Sequence, residues 1–313
     1  MNKPLLSICI PTYNRAPYLK ELLDSIVCQF NDPEIYNQVE VIISDNASED
    51  NTTEMVAEYQ RKYKNIRYSR NYENLGAVKN GLILFELQIG KYIWLIGDDD
   101  AVSSDSIKYL ISKIEKNNYS AVLMNFDQGE YDNLKIKPYT NSLHLKEDKE
   151  YADYRDFFKG EDFKNFHGIN FLSALVYNSA LLKENTDRFG EFFDTCYLQS
   201  HIFLILGTNG NILRIAKPLV IWRAFSGGGK RRYDEWVRND EQIKHDFNGF
   251  IEHARRLGYI FDESKRLKLN SINVPKKLIL GFLKKFKLLK YVKAIRRIPR
   301  LVKYYISGYS KNK

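Results

Sequence analysis

Short apolar runs alternate with amphipathic stretches through the first hundred residues. Leu5–Ile10 is apolar and closes on Pro11-Thr-Tyr-Asn-Arg15, which predicts a buried strand stopped by turn chemistry. Between Tyr18 and Gln29, Leu19, Leu22, Leu23, Ile26 and Val27 recur at helical spacing. Val39–Ile43 predicts a second strand, running into Ser44-Asp-Asn-Ala-Ser-Glu-Asp50. Met55, Val56 and Tyr59 mark the apolar side of a helix that reaches about Tyr63. Ile66–Ser69 predicts a third, weaker strand, and Asn74-Leu-Gly76 opens another helix. Tyr92–Ile96 is a fourth strand, broken by Gly97 and followed at once by Asp98-Asp-Asp100. A helix through Ile107–Ile111 comes next, with Ser103, Ser104 and Asp105 as N-cap candidates.

The order β-α-β-α-β-α-β-α predicts an α/β fold: a Rossmann-like parallel sheet with helices on both faces. Such sheets bind ligands outside the carboxyl ends of their strands. Pro11–Arg15, Asp45–Ser48 and Asp98–Asp100 share that edge. Tyr119–Phe126 predicts a further strand. Residues 127 to about 168 are polar and aromatic with weak periodicity, and read as an insertion that covers the site or meets a second substrate. Asn170–Tyr177 returns to the sheet, Tyr197–Leu206 is helical, and Ile212–Ile215 and Leu219–Trp222 are two short strands. Ser226-Gly-Gly-Gly-Lys-Arg-Arg232 is a flexible basic loop, and Tyr233–Leu257 a long helix.

Charge divides the chain. Thirteen of its 48 Lys and Arg lie in residues 275–313, which hold no Asp or Glu, leaving 35 basic against 39 acidic residues before them. The body is therefore mildly acidic, against the basic binding face that a nucleic-acid partner needs. In the tail, Leu278, Ile279, Phe282, Phe286 and Leu289 share one helical face, with Lys276, Lys277, Lys284, Lys287 and Lys290 mostly opposite. Two readings fit: a helix lying in an anionic membrane surface, or one docked on the body with a solvated basic face. Pro299 then bends or ends it. No apolar run is long enough to span a bilayer. The first strand starts almost at the terminus, which leaves no room for a secretory signal. Cys9, Cys28 and Cys196 lack metal spacing and read as reduced, mostly buried thiols of a cytoplasmic protein.

Three adjacent carboxylates at a strand end repel one another and resist burial, which calls for a hard divalent cation or full solvation in a capping turn. Taken together, Pro11-Thr-Tyr-Asn, Asp45–Asp50, Asn74-Leu-Gly76 and the Asp triplet resemble family 2 glycosyltransferases of the GT-A fold. The first hundred residues carry nearly all of that resemblance. Within the family the chain is similar to bacterial surface-polysaccharide enzymes of the abequosyltransferase type. The resemblance implies inverting, hexosyl-type transfer from a nucleotide sugar to a hydroxyl, with Mg2+ or Mn2+. The implied acceptor is a polyprenyl-diphosphate-linked oligosaccharide at the inner face of the cell membrane. It also implies a GT-A catalytic domain over residues 1–232, with a nucleotide-binding half (1–126) and an acceptor half (127–232). C-terminal helices with the basic tail would occupy 233–313.

Carried over residue by residue, the resemblance makes Pro11, Thr12 and Tyr13 the wall of the nucleotide pocket, with Asn14, Arg15 and Asn74 beside it. Asp45 would hydrogen-bond the base edge or else cap the next helix; Ser48 and Asp50 read as caps. The triplet departs from the family's Asp-x-Asp. With Gly97 in the first position, Asp99 is the metal ligand, Asp98 lies near the ribose and Asp100 assists; with Asp98 first, Asp100 is the ligand. The first alignment is favoured. A general base is also required, but the family's acidic pair is missing before the late helix. His201 stands there instead, as base or as packed helix histidine, with Asp194 next and Glu191 third. Lys230 and Arg231 would close over the diphosphate, or belong to a solvated hairpin. A sugar nucleotidyltransferase would need a Gly-rich phosphate loop after the first strand, and Pro11–Arg15 has no glycine. A non-catalytic binding protein of the same fold is the other alternative. Trp222-Arg223 reverses the Arg-Trp order of processive members and speaks against a processive synthase.

Overall fold

The computed structural model describes residues 3–129, 142–159, 162, 164–195, 197–223 and 240–261. The chain runs β1 (Leu6–Thr12), α1 (Ala16–Val27), α2 (Pro33–Gln38), β2 (Val39–Asp45), α3 (Thr52–Lys62), β3 (Ile66–Arg70), α4 (Ala77–Leu87) and β4 (Tyr92–Leu95). After the acidic triplet come β5 (Ala101–Val102), α5 (Ser106–Ile114), β6 (Ala121–Gly129), β7 (Lys149–Tyr151), α6 (Asn165–Ile169) and β8 (Leu175–Asn178). The described chain closes with α7 (Ser179–Glu184), α8 (Leu198–Gly207), β9 (Ile212–Arg223) and α9 (Asp240–Arg256).

These strands form one sheet in the order β3-β2-β1-β4-β8-β6-β9-β5, with β7 also paired to β9. The first four are parallel, as the alternation of strands and helices requires. Every residue of β2 and β4 is buried, so the sheet is covered on both faces, and consecutive apolar residues replace strict alternation. In α1, Leu19, Leu22, Leu23, Ile26 and Val27 are all buried, as their spacing predicts.

The second half departs from the parallel expectation. β8 runs antiparallel between β4 and β6, and β5 runs antiparallel to β9. The two short strands expected at Ile212–Ile215 and Leu219–Trp222 are one strand, β9. Its pairing with β6 shifts register between Met124 and Phe126, opposite Pro218. Proline has no N–H to donate, and a bulge accommodates it within a strand. α2 and β5 are too short to leave a periodicity. None of the expected N-caps serves α5: Asp105 lies at φ 58° with no side-chain cap, and Gln29 Oε1 accepts the Ile107 N–H at 3.1 Å instead. Cys9 is buried, whereas Cys28 is exposed. Among the described residues no helix is long and apolar enough to cross a membrane. The basic loop and the tail lie outside the described residues.

Gly90, between α4 and β4, donates its N–H to Ser7 Oγ at 2.8 Å. A Cβ there would lie 2.6 Å from Ser7 Oγ and 2.7 Å from the Ser7 nitrogen, which is backbone and cannot yield. Gly90→Ala is expected to cost about 1–3 kcal/mol, read as a lowered midpoint in urea unfolding.

Candidate active site

The parallel register sets Thr12 beside Asp45 and Cys9 beside Leu95. The carboxyl ends of β1, β2 and β4 therefore meet at one edge, and their following turns are stitched together there. Ser48 Oγ accepts the Asn14 N–H at 2.9 Å, and Asn14 Oδ1 accepts the Glu49 N–H at 2.7 Å. Asn14 takes φ 52°, a left-handed conformation that asparagine tolerates. Asp50 does act as a cap, accepting the Ala16 N–H at 3.0 Å at the start of α1 and the Thr52 N–H at 3.1 Å at the start of α3.

Asp45 is fully buried and is not the cap of α3. Its oxygens accept the Ser48 N–H at 2.9 Å and the Tyr68 hydroxyl, with Arg70 Nε at 3.6 Å. Next to it an asparagine network that the sequence does not announce fixes the β3–α4 turn. Asn46 donates to Asn74 Oδ1 at 2.6 Å and accepts the Leu75 N–H at 2.9 Å; Asn71 bridges Asn46 and Asn80, 3.0 Å from each. Asn74 itself is exposed, and Pro11 and Tyr13 are half-buried.

The acidic turn is the centre of the edge. Asp98 is buried and accepts from Thr12 Oγ1 at 2.7 Å and from Arg15 Nη1 at 2.8 Å. Asp100 is buried on the other side, accepting Ser173 Oγ at 2.6 Å and the Arg223 N–H at 3.2 Å. Arg223 also donates from Nε to the Asp99 carbonyl at 2.7 Å, pairs with Glu21 and lies over the Tyr18 ring. Ser173 and Arg223 were not among the expected site residues, because each reaches the turn from far along the chain. Asp99 differs from its neighbours: its side chain is 29% exposed and pairs with Arg15 Nη1 at 3.1 Å. Burial pushes the Asp98 carboxyl up to about 6 against the pull of Arg15. Burial, with the Asp99 charge adding to it, pushes Asp100 up to about 7. Burial disfavours the charged form of a carboxyl, and a nearby cation would favour it.

These donors are oxygens only, which suits Mg2+ or Mn2+ rather than zinc. Among the described residues no three His, Cys, Asp or Glu side chains converge into a complete cage. One reachable carboxylate, with the remaining positions left to phosphate and water, is how Mg2+ is commonly held, so the residues fit the ion.

His201 is packed away from solvent. It is 2% exposed in α8, stacks on Phe192 at 3.8 Å and shares a 2.7 Å Nδ1–Nδ1 hydrogen bond with His253 of α9. Burial, then the His253 charge, lowers its pKa to about 3. These are the surroundings of a packed helix histidine with no proton affinity near neutral pH. Asp194 is exposed in the turn before α8. The start of α8 is tied back toward the acidic turn, since Gln199 Nε2 donates to the Asn170 carbonyl at 3.0 Å and Ser200 Oγ to Asn170 Oδ1 at 2.9 Å, three residues before Ser173. Lys230 and Arg231 lie outside the described residues.

The family model for glycosyl transferase family 2 matches residues 7–178. The chain belongs to that family. This family 2 glycosyltransferase is 34% identical over 245 residues to abequosyltransferase RfbV of Salmonella typhimurium, a match spanning 73% of this chain and 70% of that one. It is 38% identical over 108 residues to the uncharacterized glycosyltransferase MG025 of Mycoplasma genitalium, covering 34% of this chain and only 35% of that relative. Among solved structures, residues 1–349 of S. aureus TarS in complex with UDP-GlcNAc superpose with a TM-score of 0.60 at 18% identity, over 83% of this chain and 68% of that one. At that identity the likeness is one of fold.

The buried histidine pair gives a pH prediction. Unfolded histidines titrate near about 6.5. In the native state burial, then in each case a nearby positive charge, holds His201 at about 3 and His253 at about 4. As pH falls the unfolded chain takes up protons first. The pair's stabilisation is thus complete above about pH 6.5 and drains away toward pH 4. The urea midpoint is expected to drop between about pH 7 and pH 5, and to drop less in a His201→Gln/His253→Gln double variant.

Proposed function

We propose that this glycosyltransferase moves a sugar of hexosyl type, with inversion, from a nucleotide sugar to a hydroxyl of a lipid-linked glycan in bacterial surface-polysaccharide synthesis. One observation carries the reading. Two strand ends bring Thr12 and Arg15 onto Asp98 and leave Asp99 as the reachable carboxylate beside them.

Pro11, Thr12 and Tyr13 wall the nucleotide pocket, and Asp45 and Asn74 edge its base end. Asp98 faces the ribose and is held by the Thr12 hydroxyl. Asp99 holds Mg2+ or Mn2+, and Asp100 fixes the turn from behind. The ion, when bound, neutralises the charge that develops on the departing diphosphate. Asp194 is the better candidate for the base: it is exposed in the turn before α8, whereas His201 is packed away. It would take the proton from the acceptor hydroxyl as that oxygen bonds to the anomeric carbon and the diphosphate leaves. Lys230 and Arg231 would serve as cationic ligands of the diphosphate. The basic tail rests on the anionic inner face of the membrane, where such an acceptor is found.

Asp99→Asn is expected to cut transfer by roughly 10²–10³-fold with folding intact. Asp194→Asn is expected to lower kcat by roughly 10²–10⁴-fold while nucleotide affinity stays unchanged. Initial rates over a panel of nucleotide sugars with Mn2+ check both. Transfer that survives Asp99→Asn would contradict the metal assignment.

A further inference from the structure

A single guanidinium nitrogen, Arg15 Nη1, bridges Asp98 Oδ1 at 2.8 Å and Asp99 Oδ2 at 3.1 Å. We propose that Arg15 is the resident countercation of the acidic turn and that it is exchanged during the catalytic cycle. It neutralises the carboxylates before substrate binds, then leaves them and moves onto the donor's diphosphate. The inference rests on the metal reading of Asp99 given above.

Three features support an exchange rather than a fixed ion pair. The first is space and charge. A divalent ion bound to Asp99 would sit about 2.1 Å from a carboxylate oxygen, on the carboxylate that Nη1 already contacts. Two cations that close repel strongly, so one must give way. The second is anchoring. The backbone on either side of Arg15 is pinned, with the Asn14 N–H on Ser48 and the Ala16 N–H on Asp50. Arg15 occupies the N-cap position of α1, yet its side chain makes no cap hydrogen bond, and 31% of it is exposed. Only the side chain has to swing, at no cost to the helix. The third is that the pair is not needed to place the turn. Arg223 holds the Asp99 carbonyl and Asp100, and Ser173 holds Asp100 and accepts the Gly97 N–H at 2.9 Å. These contacts remain when Arg15 departs. A diphosphate arriving with the metal supplies the anion to which a planar guanidinium binds best.

An exchange has two opposite signatures, which a fixed role would not give. Arg15→Gln removes the competitor for Asp99, so Mn2+ alone should bind roughly 5-fold tighter or more. The same change removes a phosphate ligand, so UDP or GDP in the presence of saturating Mn2+ should bind more weakly. Arg15→Lys keeps the charge without the fork and should leave Mn2+ affinity closer to wild type, with nucleotide binding still reduced. Titration calorimetry of Mn2+, then of each nucleoside diphosphate with Mn2+, on the full chain reads all of these, with the lysine variant available if the glutamine variant does not fold. Unchanged or weaker Mn2+ binding by Arg15→Gln, or Mn2+ binding by Arg15→Lys that rises as much as in the glutamine variant, overturns the exchange while leaving the metal site standing. Wild-type protein that binds neither Mn2+ nor any nucleoside diphosphate overturns the metal site and the exchange together.

Discussion

Consecutive carboxylates cannot be buried at a strand end unless something supplies donors and positive charge, and that requirement shapes this molecule. Asp98 and Asp100 are both almost wholly out of solvent. Their burial is tolerated because β1 brings Thr12, the turn after it brings Arg15, the segment before β8 brings Ser173, and the end of β9 brings Arg223. Four parts of the chain thus converge on one turn. Each contributes a hydrogen bond to a carboxylate, the kind roughly twice as strong as a neutral one. Asp99 is left facing outward between two satisfied neighbours.

Such a turn can be both rigid and reactive. The outer two carboxylates fix the backbone, and the middle one takes its position from them. The Cβ that Gly97 lacks would come within 3.3 Å of Asp99 Oδ1 and 3.4 Å of Asp100 Oδ2, tighter than most real contacts, so the glycine that follows β4 leaves room for the triplet to fold back. The elevated Asp98 and Asp100 values express the same constraint as a shortage of positive charge. A divalent cation at this edge would relieve it.

Most of the first half was legible in the sequence because its signals are local. Apolar runs of four to seven residues followed by amphipathic helices determine parallel strands, and parallel strands determine a shared carboxyl edge. Direction in the second half was not legible, since a short apolar run such as Leu175–Asn178 reads the same in either orientation. β9 looks like two strands in the sequence because Ala216-Lys-Pro218 resembles a turn, and only the bulge opposite Met124–Phe126 joins them. The site followed the same rule. Thr12, Arg15 and the triplet announced themselves by motif. Ser173 and Arg223 meet Asp100 across 73 and 123 residues, and no local pattern encodes that. His201 had the position of a base but is enclosed by Phe192, Phe250 and His253, two of them from a helix about fifty residues away.

The central claim is that Asp99 is the ligand of a divalent ion that meets the donor's phosphates. Crystals grown with Mn2+ and a nucleoside diphosphate, measured at the manganese absorption edge, address it directly. An anomalous peak about 2.1–2.2 Å from an Asp99 carboxylate oxygen and in contact with the diphosphate is the expected result. A diphosphate bound at this edge with no peak near Asp99, or a peak away from the triplet, would contradict it.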